Sequence, residues 1–366
     1  MSIGLQDDIG EAERLFGEPG EIILNLQLTT ACGFDCRHCM YACHPIQKEK
    51  QPWMDEADID QVLNLAAEFL QANHSVRINM IGGEPSLDLD RLDRLLGYLR
   101  GHPKSQGISC EMTTNGWWLR SWETLCRFAE AVGPMLRESD LTIRISNSIY
   151  HDPFRTRTEK LIISEDAKQR RFGYGERMAS RLETALECPF DYYEFIALCP
   201  ECNAALGDQT CSQCGLEISE DDYAAAQDKA YAAPGHEWVG ELLRACREDR
   251  LYVDARVSDD SKVSPVGRAA KNGIGHQATA CWDGTSIFTV APGGRLQGVC
   301  CTGGHVPIGH ARDGARQLYA LAFRYIRSIE REFPGRTPAR CRHCSAFASK
   351  WVSRQKPVLA RAPSPG

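Results

Sequence analysis

The chain has 366 residues, of which 43% are hydrophobic, so it can bury one large core and a smaller module. Its formal net charge of −7 gives no basic surface, which argues against a nucleic-acid partner. Residues 1–20 show no signal-peptide pattern, and no apolar run approaches the roughly 18 residues of a membrane span. We therefore expect a cytoplasmic protein with no membrane partner.

Apolar periodicity predicts strands and helices that alternate along most of the chain. The predicted strands are at 22–28, 76–81, 108–114, 141–146, 191–198 and 251–257. The predicted helices are at 55–71, 88–100, 120–137, 165–187 and 237–249. Repeated strand–helix units predict an α/β fold around a parallel sheet, which is either open or closed into a barrel.

Three cysteines, Cys32, Cys36 and Cys39, follow directly on the first predicted strand. Seventeen cysteines in a cytoplasmic chain cannot mainly form disulfides, because the cytosol keeps thiols reduced. Three thiolates within eight residues can bind three corners of a [4Fe–4S] cube and leave the fourth iron open. Zinc is the alternative, but zinc knuckles use CxxC pairs, so the CxxxC spacing favours iron.

Further polar residues stand where the next three predicted strands end. Gly82-Gly83-Glu84-Pro85 follows the second strand, Asn115 the third, and Ser146 the fourth. Parallel α/β folds build their sites at the carboxyl ends of the strands, so we expect these residues on one rim with the cysteines. Each could also be an ordinary turn residue.

The CxxxCxxC run with an aromatic His38 before its last cysteine, followed by the GGEP turn, resembles the radical S-adenosylmethionine (radical SAM) enzymes. The resemblance covers about residues 21–257 and implies a partial (β/α)6 TIM-like barrel. It implies that the open iron chelates SAM and that reductive cleavage gives a 5′-deoxyadenosyl radical. It also implies that the GGEP segment holds the SAM amino group and that Tyr41 lies near the adenine.

The cofactor-binding set carried over by resemblance is His38, Tyr41, Gly82, Gly83, Glu84, Pro85, Asn115 and Ser146. Ser146 matches the serine of the family's Ser-Leu-Asp-Gly, although Ser146-Asn147-Ser148 carries no aspartate. The following segment, His151 to Arg155, resembles the family's His-Asp-x-x-Arg tail. No catalytic side chain is predicted.

A second cluster is expected near the carboxyl end. Residues 265–269 resemble the Gly-Arg-Ala segment that joins the barrel to the auxiliary-cluster domain of SPASM and twitch radical SAM enzymes. A predicted hairpin (286–290 and 295–299) and a helix at 313–332 follow. The candidate ligands are Cys281, Cys300, Cys341 and Cys344, with Cys301 as the alternative to Cys300.

The shorter twitch domain, with one auxiliary [4Fe–4S] cluster, fits better than SPASM because too few cysteines follow. Four thiolates would leave no open iron, so this cluster would accept or conduct electrons. Structural zinc is the alternative, because four thiolates suit either metal.

Two CxxC knuckles interrupt the predicted barrel. They consist of Cys199, Cys202, Cys211 and Cys214, and their spacing predicts a zinc ribbon, with a rubredoxin-like iron site as the alternative. The ribbon would stabilise a small insertion or, as a sharper hypothesis, shape the substrate entrance.

The expected domains are a lead (1–20), the radical SAM barrel (21–257) with the ribbon inserted (199–218), a twitch-like domain (258–349) and a basic, disordered tail (350–366). The resemblance implies hydrogen-atom abstraction from a substrate C–H. Net oxidation, as dehydrogenation or as ring or crosslink formation, is the leading class, on a small molecule or peptide in natural-product or peptide maturation. Expected partners are a flavodoxin- or ferredoxin-type electron donor and a separate carrier protein. The alternatives are an RNA-modifying enzyme that docks RNA through the ribbon and a non-catalytic iron–sulfur sensor.

Overall fold

The computed structural model describes residues 3–39, 43–45, 52–138, 141–155, 159–160, 163, 178–182, 206–207, 210–211, 235–254, 287–299 and 307–332. In these ranges, no helix combines the length and the apolar character needed to cross a membrane. The chain divides into two compact units. The first comprises Met1–Gly83, Gly101–Cys110 and Val257–Gly366, and the second comprises Glu84–Arg100 and Glu111–Arg256.

The longer elements are, in chain order, α1 (Ile3–Phe16), β1 (Glu21–Thr29), α2 (Glu56–Gln71), β2 (Ser75–Gly82), α3 (Leu89–Gly101), β3 (Ile108–Thr114), α4 (Trp122–Arg137), β4 (Leu141–Ile145), α5 (Val239–Arg247), β5 (Leu251–Val253), β6 (Ile287–Ala291), β7 (Arg295–Val299), β8 (Pro307–His310) and α6 (Ala315–Glu332). Short 3-10 turns and two pairs of two-residue strands complete the described secondary structure.

The strands of the first unit lie in the order β8-β7-β6-β1-β2. β1 pairs in parallel with both β2 and β6, whereas β6, β7 and β8 pair antiparallel. The predicted hairpin is confirmed as β6 and β7, and its turn is anchored by Asp58, whose carboxylate accepts from the backbone N–H of Gly293 at 3.0 Å. Asp58 also forms a capping box with Asp55 at the start of α2, so one side chain fixes both elements.

One face of β1 packs into an apolar core because its alternate residues are large and aliphatic. Ile22, Leu24, Leu26 and Leu28 are all at most 1% exposed. The aromatic rings of Phe69 on α2 and Phe288 on β6 lie 5.5 Å apart in the same unit. Burial of each such side chain contributes about 1.5–3 kcal/mol to the free energy of folding. Because these elements depend on a buried apolar face, the spacing of apolar residues in the sequence predicted their positions well.

Helix α1 completes the core of the first unit. Its last residue, Phe16, stacks edge-on against Tyr319 of α6 at 5.4 Å, and its carbonyl oxygen accepts from His74 Nε2 at 2.9 Å. We expected only a lead over residues 1–20, so this helix is an addition. Strand β8 is likewise present where none was predicted.

The second unit contains residues 111–114 of β3 together with β4 and β5, in the order β3-β4-β5, and β4 pairs in parallel with β5 in the register Ile143↔Leu251. The strand predicted as the sixth therefore lies directly beside the fourth. The predicted fifth strand (191–198) and most of the predicted helix 165–187 fall outside the described residues. An α/β fold rich in parallel strand pairs is confirmed, and its closure into a partial barrel stays a prediction.

Candidate functional site

The segment of residues 30–39, which carries the three cysteines and is called the cysteine loop, follows directly on β1. Ala31–Cys32 forms a two-residue parallel ladder with His44–Pro45. Cys32 and Cys36 are buried and Cys39 is partly exposed, and none of the three forms a disulfide. The backbone N–H of Phe34 donates to Cys32 Sγ at 3.4 Å, and the N–H of Cys39 donates to the carbonyl of Cys36 at 3.2 Å. The loop is thus a tight, hydrogen-bonded turn that holds its first sulfur against a backbone donor.

The donor set of this loop fits an iron–sulfur cluster. Three thiols in one turn supply soft ligands, and an N–H donor to a ligating sulfur is one of the ways in which proteins tune such clusters. Among the described residues, no three His, Cys, Asp or Glu side chains group closely enough to hold one metal ion. Each thiolate of a cube binds a different iron, so a cluster does not require that single-ion grouping.

The glycine pair at the end of β2 lies directly against the start of the cysteine loop. A Cβ on Gly83 would sit 1.6 Å from the carbonyl oxygen of Ala31, and a Cβ on Gly82 would sit 2.5 Å from that of Thr29. Gly82 also has a φ of +134°, which side-chain-bearing residues rarely adopt. The N–H of Gly83 donates to the carbonyl of Thr29 at 2.8 Å. Two motifs about 45 residues apart in sequence are therefore in backbone contact within the first unit.

Glu84 opens the second unit as a fully buried carboxylate. Its Oε1 accepts from the N–H of Ser86 (3.0 Å), the hydroxyl of Ser86 (2.6 Å) and the hydroxyl of Thr114 (2.7 Å). Its Oε2 accepts from the N–H of Asn115 at 2.6 Å. Four donors from this unit thus tie the turn after β2 to the residues that end and follow β3.

Burial raises the pKa of Glu84, and its hydrogen bonds to Ser86, Asn115 and Thr114 oppose that rise. A buried carboxylate without such donors would cost far more free energy than the fold could supply. The hydrogen bonds to Glu84 are therefore a condition for its presence at this position.

The residues predicted at the ends of the next strands lie in the same network. The N–H of Ser146 donates to the carbonyl of Thr114 at 2.7 Å, and Asn115 Oδ1 accepts from the N–H of Trp117 at 2.9 Å. Arg155, 7% exposed, donates from Nη2 to the carbonyl oxygens of Ser146 (2.6 Å) and Asn115 (3.4 Å). Its Nη1 donates to Asn147 Oδ1 at 3.2 Å.

Sequence reasoning missed three members of this network. Ser86 carried no signal, because a serine beside a turn is common. Thr114 stands in the Thr114-Asn115-Gly116 run that ends the third predicted strand, but only Asn115 of that run had received a role. Arg155 did carry one, since it ends the segment that resembles a His-Asp-x-x-Arg tail, but it had received no role. The structure gives it one: a buried guanidinium that holds two strand-ending turns by their carbonyl oxygens.

Several predicted site residues lie outside the described part of the chain. They are Tyr41, Cys199, Cys202, Cys214, Cys281, Cys300, Cys301, Cys341 and Cys344. Cys211 falls in a two-residue strand, Thr210–Cys211, and this strand pairs antiparallel with Leu206–Gly207, which lies between the two predicted knuckles. His38 is partly exposed within the cysteine loop, and Pro85 begins a short 3-10 turn after Glu84.

The model of the Radical SAM superfamily matches residues 26–164, which include the cysteine loop, the glycine pair and the network around Glu84. This stretch is similar to radical SAM domains. The match spans less than half of the chain, and no curated protein matches the chain.

Solved structures similar to the chain include three forms of anSMEcpe. Native anSMEcpe with bound AdoMet and Cp18Cys peptide shares 13% identity at a TM-score of 0.39, covering 94% of this chain and 98% of that chain. Native anSMEcpe with bound AdoMet shares 12% at 0.40, covering 94% and 100%. A histidine-tagged anSMEcpe with bound AdoMet shares 14% at 0.40, covering 94% of each.

The contact of Gly83 with the cysteine loop predicts a large effect for Gly83→Ala. The added methyl meets backbone atoms that cannot move aside, so we expect the free energy of unfolding to fall by about 3 kcal/mol. Iron bound per chain after anaerobic reconstitution should fall with it. The control is Gly97→Ala, where the new Cβ meets no atom within 4 Å and a helix gains about 0.5–1 kcal/mol. Equal behaviour of the two variants would contradict the close approach.

Glu84 predicts a pH dependence of stability. A carboxyl whose folded-state pKa is raised binds more protons folded than unfolded, so its contribution falls as pH rises from about its ordinary value of 4.5 through the folded-state pKa. We expect the melting temperature of the wild type, relative to Glu84→Gln, to decrease across this rise. Scanning calorimetry between about pH 5 and 8 measures it. A constant difference between the two proteins across this pH range would contradict the raised pKa of Glu84.

Proposed function

We propose that the protein is a radical SAM enzyme that binds a [4Fe–4S] cluster through Cys32, Cys36 and Cys39 and abstracts a hydrogen atom from a substrate C–H. The observation that carries this proposal is the backbone contact of Gly83 with Ala31, because it joins the glycine turn to the cysteine loop inside the stretch that is similar to radical SAM domains. Two motifs that meet only in the folded protein are stronger support than either motif alone.

The described residues supply binding and positioning. When bound, the cluster and SAM supply the reducing electron and the 5′-deoxyadenosyl radical. The three thiolates hold the irons, and the N–H of Phe34 donates to the sulfur of Cys32, which stabilises negative charge there. Gly82 and Gly83 carry no side chains, so their backbone groups can approach a bound amino group closely. Glu84 and Arg155 hold the neighbouring turns from within the second unit.

The finer assignment also belongs to the proposal. An auxiliary [4Fe–4S] cluster at Cys281, Cys300, Cys341 and Cys344 would accept the electron of a substrate radical, which makes the net reaction a two-electron oxidation. Dehydrogenation and ring or crosslink formation are such oxidations. A zinc ion at Cys199, Cys202, Cys211 and Cys214 would stabilise the inserted segment. The substrate is a small molecule or peptide, and a flavodoxin- or ferredoxin-type protein supplies electrons.

The core of the proposal predicts SAM cleavage that depends on the triplet. The anaerobically reconstituted wild type, given dithionite and SAM, should form 5′-deoxyadenosine, measured by chromatography. Cys36→Ala should reduce this to background because one iron loses its ligand. Cys43→Ala is the matched control: Cys43 is also buried and lies four residues beyond the triplet, so product should persist. Absence of 5′-deoxyadenosine with a full cluster would indicate an iron–sulfur sensor instead.

Metal content tests the remaining cysteines. Two [4Fe–4S] clusters and one four-cysteine zinc site predict about eight irons and about one zinc per chain. Cys341→Ala with Cys344→Ala should lower iron to about four without removing zinc, measured by plasma emission. Loss of zinc with iron unchanged would instead assign the carboxyl-terminal cysteines to zinc.

A further inference from the structure

Two polar side chains are buried on the face of β1 opposite its apolar face. Asn25 is 9% exposed and Gln27 is 2% exposed, between aliphatic neighbours that pack on the other side. Strands in parallel sheets that are covered on both faces normally carry apolar residues on both. Polar side chains on a buried strand face need a reason other than packing.

The pairing register places further polar residues beside these two. Asn25 pairs with Asn79 on β2 and with Thr289 on β6, so the three side chains form a row across three strands. Gln27 lies two residues further along β1 on the same face. We call Asn25, Gln27, Asn79 and Thr289 the polar patch. All four belong to the first unit.

Only two of the four side chains in the polar patch have a hydrogen bond between side chains of the described residues. Asn79 Nδ2 donates to Asn25 Oδ1 at 3.0 Å. Gln27 Oε1 and Thr289 Oγ1 are fully buried atoms with no hydrogen-bond partner in the described part of the chain. A buried polar atom without a partner destabilises a fold, and native proteins keep few of them without a function.

The charges on this face indicate the kind of ligand. Its only described ion pair, Arg77 with Glu21, lies at the amino-terminal end of β1 and β2, where the two side chains neutralise each other. The pairing register places the uncharged Ile81 beside Gln27 and the uncharged Asn25 beside Thr289. A charged ligand there would lose its hydration without gaining a counter-charge from these neighbours.

We propose that the polar patch binds an uncharged substrate group that both donates and accepts a hydrogen bond, an amide or a hydroxyl. This inference rests on the proposed function for the identity of the ligand as substrate. Gln27 Oε1 accepts from the ligand, and Thr289 Oγ1 donates to it or accepts from it. Two residues of the patch, Asn25 and Gln27, lie on the strand that leads into the cysteine loop. Gln27 precedes Cys32 by five residues, and Thr29 between them accepts from the N–H of Ala31 at 3.0 Å.

The first test uses the sign of a stability change. Thr289→Val keeps the shape and removes a hydroxyl that has no partner among the described residues, so the melting temperature of the reconstituted protein should rise by about 2–4 °C. Thr114→Val is the matched control. It makes the same change at a threonine of similar burial whose hydroxyl donates to Glu84, so the melting temperature should fall by a similar amount. A fall for Thr289→Val as well would show that its hydroxyl is structural and would overturn the proposal.

The second test uses small probes and no SAM. Acetamide and ethanol represent the amide and the hydroxyl, and acetate and methylammonium are charged counterparts of similar size. Saturation-transfer NMR on the reconstituted wild type should show binding of a neutral probe, weakened about fivefold in Gln27→Leu/Thr289→Val. Binding of acetamide alone assigns an amide, and binding of ethanol alone assigns a hydroxyl. Equal binding of acetate, or no difference between wild type and variant, would overturn the proposal.

These readouts separate the two proposals. Failure of the proposed function shows as absence of 5′-deoxyadenosine from the wild type. Failure of the polar patch shows in melting temperature and probe binding, neither of which requires SAM cleavage.

Discussion

The candidate site depends on one steric constraint, the contact of the Gly83 backbone with the Ala31 backbone. No side chain fits between them, so the turn after β2 can lie against the cysteine loop only because the residue there is glycine. The hydrogen bond from Gly83 to Thr29 fixes the same contact. The position of the thiols relative to the end of β2 is thus determined by backbone atoms, which rotamer changes cannot disturb.

The residue after Gly83 introduces the opposite kind of constraint, an electrostatic one. A carboxylate as deeply buried as that of Glu84 is tolerable only with several donors, and Ser86, Thr114 and Asn115 provide them. Since all these donors stand at strand ends or turns, satisfying the charge also fixes the loops. Arg155 carries the opposite charge and also fixes a loop, because its guanidinium donates to the backbone carbonyl oxygen of Ser146. The main structural effect of these two buried side chains, Glu84 and Arg155, is to fix the geometry of the loops.

Sequence periodicity located β1 to β4 and α2 to α4 to within about two residues, because each buries one regular apolar face. The rule that parallel strands end on one edge predicted the motifs at the strand ends, and within the first unit the glycine turn does contact the cysteine loop. Two things could not be read from the chain. The order of strands depends on long-range pairing, so the position of the strand at 251–253 beside β4 was not predicted. The hydrogen-bond partners of Glu84 depend on side-chain geometry, and the presence of a serine or a threonine in the sequence does not predict that geometry.

The buried polar groups of this protein fall into two kinds that follow from one rule. Thr114 and Thr289 are both buried threonines on strands, but Thr114 donates to a carboxylate while Thr289 has no partner among the described residues. The hydroxyl of Thr114 adds stability, which a valine at this position would remove. The hydroxyl of Thr289 lowers stability, so selection for stability alone would replace this residue. Gln27 on β1 and Thr289 on the adjacent β6 each keep a buried polar atom without a partner among the described residues, and recognition of a ligand explains both.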